Sequence, residues 1–140
     1  MLIDPVVVWA GAESSGSDVS TEERQRLADH LGSALREQLQ LEFDLVESPS
    51  PGTLRLRSAI TAVRASGASV ELEVLDAATG RRLVAVADAH RGKAGHDASA
   101  RAWANAEEAF DYWAHRARVR LAAFRDFDAA EAAQDAGAKP

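Results

Sequence analysis

The sequence predicts an α+β domain in which two helices pack on one face of a four- or five-stranded, mainly antiparallel sheet. Three observations predict it. Apolar and polar residues alternate over 53–63 and 69–76, the period of strands with one covered face. Asp76 and Thr79-Gly80 bracket a chain reversal with hairpin chemistry, because aspartate accepts N–H bonds within its own turn and glycine adopts positive φ. Apolar residues recur every three or four positions near 20–41 and 101–124, the period of amphipathic helices.

Taken in order, the first strand has Ile3, Pro5, Val7 and Trp9 on one face and Val6 and Val8 on the other. Both faces are apolar, which predicts an interior strand, with Pro5 at its first residue because proline donates no ladder bond. Residues 11–19 form a Gly/Ser loop. Ser20 and Glu23 then have the spacing of a capping box, and Leu27, Leu31, Ala34, Leu35 and Leu39 make the apolar stripe of the first helix. Residues 43–47 read as a short strand, closed by Ser-Pro-Ser-Pro-Gly at 48–52.

In 53–63 Leu54, Leu56 and Ile60 oppose Arg55, Arg57 and Thr61. Gly67 reverses the chain into a strand with Val70, Leu72 and Val74 inward and Glu71 and Glu73 outward, so the two arginines face the two glutamates if the strands are neighbours. After the hairpin, 92–100 reads as a loop in which Ser99 caps the second helix. Trp103, Ala106, Phe110, Trp113, Ala117, Leu121 and Phe124 form its stripe, and Glu107, Glu108 and Asp111 precede Arg116, Arg118 and Arg120 in the order that complements the helix dipole. Residues 1–125 are thus expected to form a single domain. The Ala-, Asp- and Glu-rich segment 126–140 is expected to be a frayed or disordered tail, into which the helix can extend a few turns before its end frays.

Composition narrows the function. With 140 residues and 46% hydrophobic content, one core can bury roughly two-thirds of the unfolded surface without a covalent staple. Cysteine is absent, which removes disulfides and thiolate metal sites. A formal charge of −6 disfavours nucleic acid, whose binding rests on clustered Lys and Arg. No apolar run approaches the ~20 residues of a membrane-spanning helix, so direct membrane insertion is not expected.

The segments IDPVVVW at 3–9, EERQRLADHL at 22–31, LRLRSAITAV at 54–63, VELEVLDAATGRRLVAVADA at 70–89 and AWANAEEAFDYWAHRARVRL at 102–121 carry a family resemblance. In their order and spacing they resemble the bacterial lipoprotein family called domain of unknown function 3313. The resemblance implies a small α+β domain tethered in the periplasm, at the outer membrane, by a lipidated cysteine, with no established activity. Two features depart from the family pattern: the signal peptide and lipid-bearing cysteine are absent, as expected of a fragment, and the linker Arg64–Ala68 is shorter than the family segment.

Each candidate for chemistry competes with a plainer reading. Asp88, His90, His96 and Asp97 have side chains that suit zinc or nickel, but no second close histidine pair accompanies them, and solvated Asp and His are common in loops. His115, four residues after Asp111, has the spacing of a base and its orienting acid, yet no nucleophile is placed beside it, so a surface pair is the simpler reading. Trp103, Phe110 and Trp113 have the spacing of core residues, which competes with a ligand pocket. No catalytic residue, cofactor or metal site is therefore assigned.

A non-catalytic envelope domain that binds a protein partner or itself is the favoured function. The alternative is an enzyme whose dispersed site only the fold assembles. The expected interface is Val6, Val8, Val84 and Val86: if the first and last strands are neighbours, these valines form one apolar patch on the open side of the sheet. Two other arrangements remain open, a tail folded back over the patch or short strands twisted out of line.

Overall fold

The structure, a computed structural model, describes residues 1–9, 21–64, 67–91 and 98–138. The chain runs β1 (Leu2–Ile3), β2 (Val7–Val8), α1 (Thr21–Leu39), β3 (Leu54–Arg64), β4 (Gly67–Asp76), β5 (Arg82–Arg91) and α2 (Ala98–Gly137). The expected α+β class is observed: two helices and a five-stranded, open, mainly antiparallel sheet. Ser20 lies outside the described residues, and the rest of the first helix follows its predicted stripe, with Leu27, Leu31, Leu35 and Leu39 buried.

The meander β3–β4–β5 is the frame. β3 and β4 pair antiparallel with Arg57 opposite Glu73 and Ile60 opposite Val70, and a bulge between Ile60 and Ala62 follows. β4 and β5 pair antiparallel with Val74 opposite Val84 and a second irregularity between Val74 and Leu75. The turn is built as its residues dictate: Asp76 Oδ1 accepts from the N–H groups of Ala78 (2.9 Å) and Thr79 (3.1 Å), and Gly80 has φ 73°. Gly67 has φ 147°, and a Cβ there would lie 1.9 Å from the carbonyl oxygen of His90, so only glycine fits between the strands.

Two elements differ from the sequence reading. The N-terminal strand is an edge, not an interior strand, and it is split: β1 pairs parallel with β3 at Arg55 and Leu56, and β2 does so at Ala59 and Ile60. Pro5 lies in the break, where its missing N–H costs no ladder bond. Segment 43–47 is not a strand. Its Val46 N–H donates to the Met1 carbonyl (3.0 Å), while Phe43 and Leu45 pack against the core, so their apolar character reflects side-chain burial without ladder pairing. The helix α2 extends past 125, as the sequence reading allows, and runs to Gly137. Alanine-rich sequence favours helix without tertiary help, and 126–137 are exposed along their whole length, including Phe127.

The core lies between the helices and one face of the sheet. Leu27, Leu31 and Leu35 of α1 meet Phe110, Trp113 and Leu121 of α2 over Leu56, Ile60, Val70 and Val74. Burying side chains of this size contributes about 1.5–3 kcal/mol each, which is why the helices cover this face rather than the one bearing Arg57 and Glu73.

Candidate functional site

Strand parity decides what the other face presents. Residues alternating with Leu56 and Ile60 must point away from the core, and these are Arg55, Arg57 and Ala59. A ribbon of charge crosses the sheet there. Arg55 Nε donates to both oxygens of Asp4 at 3.0 Å, and Arg57 Nε reaches Asp4 Oδ2 at 3.4 Å. Arg57 Nη1 lies 3.6 Å from Glu73 Oε1, and Arg82 Nε donates to Glu73 Oε2 at 2.9 Å. The expected Arg57–Glu73 pairing therefore forms, whereas Arg55 turns to Asp4 because β1 supplies a carboxylate on its free side. These partly exposed pairs set register and hold the face open more than they stabilise it.

Beside the ribbon the residues of β3 and β5 are small, with the exposed Glu71 of β4 standing between Ala59 and Ala87. Ala59, Ala85 and Ala87 stand where larger side chains would fill the twisted surface, leaving a trough of about 750 Å³ walled by Val7 and Trp9. Val7 is 54% exposed and Trp9 is 52% exposed. An indole held out of the core by its strand position gives apolar area and an N–H donor together, the combination enriched in binding surfaces.

The four valines expected at the interface are not brought together. Val6 and Val8 belong to the segment beside β3, Val84 and Val86 belong to β5, and β4 lies between. Val6, Val8 and Val84 point to the helix side and pack against the core, and Val86, 37% exposed, lies on that same side. The patch fails because the first and last strands are opposite edges, an arrangement that strand periodicity does not encode. The open side instead carries the residues alternating with these valines. The sequence signal that would have found them is the run of small residues at Ala85 and Ala87, set against Val84 and Val86.

The remaining candidates separate too. Asp88 Oδ2 accepts from the Trp113 indole N–H at 3.0 Å, and the His90 ring stands edge-on to Trp113 at 6.4 Å. Both are thus engaged with α2, and His96 and Asp97 lie outside the described residues. Asp111 pairs with His30 of α1 (3.0 Å), while His115 Nδ1 contacts Arg118 (3.4 Å), so the proposed His115–Asp111 pair is replaced by a bridge between helices. Phe110 and Trp113 are core, and the Trp103 side chain lies outside the described set. Among the described residues no three His, Cys, Asp or Glu side chains converge as a metal site.

A family model described as Protein of unknown function (DUF3313) matches residues 1–69 and 66–117. The chain belongs to this family. Two solved structures share the fold of the DUF3313 chain, and a third is more distant. A Xanthomonas campestris protein assigned to the DUF330 family model superposes with a TM-score of 0.59 at 10% identity, over 91% of this chain and 86% of that one. An uncharacterized protein gives 0.59 at 15% identity, over 86% and 90%. A minor lipoprotein from Acinetobacter baumannii gives 0.47 at 13% identity, over 89% and 93%. At these identities the first two establish likeness of fold alone, and the third is too distant to add to it. No curated protein matches the DUF3313 chain.

Proposed function

We propose that this DUF3313 chain is a non-catalytic binding domain of the bacterial envelope, which receives a protein partner in the trough on its open sheet face. The observation that carries the reading is the exposed pair Val7 and Trp9 beside a floor in which Ala59, Ala85 and Ala87 flank Glu71 and Glu73. Apolar side chains held over small ones offer a partner's side chains a place to enter, and the adjoining ribbon Arg55–Asp4–Arg57–Glu73–Arg82 offers charges of both signs to fix orientation. The envelope setting is supported by the lipoprotein character of the family it resembles. Among the described residues no helix is long and apolar enough to cross a membrane.

The test compares wild type with Val7→Glu/Trp9→Glu, changes at exposed positions that leave the core intact. Capture from envelope extract, with crosslinking, is expected to recover a partner with wild type and to lose it with the double variant at unchanged Tm. Identical capture by both proteins, or none by either together with a monomer in sedimentation at high concentration, overturns the reading.

A further inference from the structure

A second cavity lies on the helix side of the sheet, where α2 is centred over β4 and β3 and leaves part of β5 uncovered. It is a cleft of about 140 Å³ whose walls are Val84 and Val86 of β5, Leu72 of β4, and Trp113, Ala117 and Leu121 of α2. An apolar cavity of ~150 Å³ stays dry and accepts a benzene-sized guest, so this cleft has the size and chemistry for one ring or a short alkyl chain.

The rim is charged, and its balance is positive. Arg116 and Arg120, one helical turn apart, stand at the mouth with Asp88 as the lining carboxylate. Asp88 is already committed, with one oxygen to the Trp113 indole N–H and the other to the Ala89 N–H. Arg116 donates one N–H to the Tyr112 hydroxyl at 2.6 Å and lies over that ring, contacts that orient its guanidinium without neutralising it. Arg120 has no carboxylate partner among the described residues.

We infer that this cleft binds a small organic anion, its apolar body between Val86 and Trp113 and its carboxylate at Arg116 and Arg120. Two forked donors on one helix face match a carboxylate, and the apolar floor beside them favours an anion that carries an apolar body over an inorganic one. This site opens on the opposite face from the trough, and although Leu72 and Val86 border both, the two readings rest on different side chains, so either can fail without the other.

The full chain is titrated calorimetrically with hexanoate and benzoate, then with hexanol and hexylamine at the same concentrations. The acids are expected to bind saturably, the alcohol more weakly and the amine not at all. Arg120→Gln, at an exposed position, should weaken hexanoate about tenfold, the loss expected for one charge-assisted hydrogen bond. Methyl resonances of Val84 and Ala117, which line this cleft and not the trough, should shift on addition of acid in NMR spectra. Absence of saturable binding into the millimolar range, equal affinity for hexanol, unchanged affinity in Arg120→Gln, or shifts centred on Val7 and Trp9 would each overturn the inference.

Discussion

Leu56 and Arg57 are neighbours in one strand, share one ladder with β4, and live in opposite solvents. On the covered face Leu56 joins Ile60, Val70, Phe110 and Trp113 in a core that water does not reach. On the open face Arg57 holds Asp4 and Glu73 while half exposed. The backbone hydrogen bonds are alike, so the difference lies in desolvation. Buried area fixes the fold on one side, and screened charge leaves the other free for recognition.

The largest expected effect lies on the covered face. Trp113→Ala should destabilise by about 3–5 kcal/mol in urea melts, since it removes a large core side chain, and it also strips Asp88 of its indole donor. A loss under about 1 kcal/mol would break the comparison by placing that helix face in solvent. On the open face Arg57→Ala should cost only about 0.2–1 kcal/mol, and the cost should shrink with added salt, because its partners are screened by water. A salt-independent loss well above that range would mean that the face is covered.

The smallest effect lies at the turn beyond both faces. The N–H groups of Thr79 and Ala78 bond the Asp76 carboxylate and hold its pKa below the ordinary value. A depressed folded pKa gives stability that is full above the ordinary carboxylate range and lost as pH falls through the lowered value. The Tm difference between wild type and Asp76→Asn should therefore be present at neutral pH and close in acid. A difference that is constant with pH would sharpen the comparison by assigning the turn's contribution to geometry alone.

Local chemistry made much of this legible. Asp76 and Gly80 write their own turn, the β3 and β4 alternation assigns Leu56 inward and Arg57 outward, and the stripe from Leu27 to Leu39 declares its buried side. Partnership was not legible. Nothing in Val6-Val7-Val8 states that its neighbour is β3 alone, and nothing in Asp111 points to His30 on the other helix rather than to His115 four residues away. The candidate interface failed for the same reason, because two apolar strands were joined that the topology sets at opposite edges. The alternation places Trp9 on one face of its strand, but its exposure follows from which side α1 covers, a property of the assembled sheet.

The parallel docking of β1 and β2 on β3 also orders assembly in time. β3, β4 and β5 join consecutive segments through tight reversals, so their contacts close short loops and can form early. Leu2 and Ile3 must instead wait for Arg55 and Leu56, with α1 threaded between them in the chain. The segment Leu2–Val8 therefore closes its contacts later than the meander does, and Val7 and Trp9 spend that interval as unpaired apolar chain. A domain that keeps these two side chains exposed even when folded thus offers an adhesive segment to other chains before folding and after it, so that a holding chaperone and a folded-state partner would compete for the same residues.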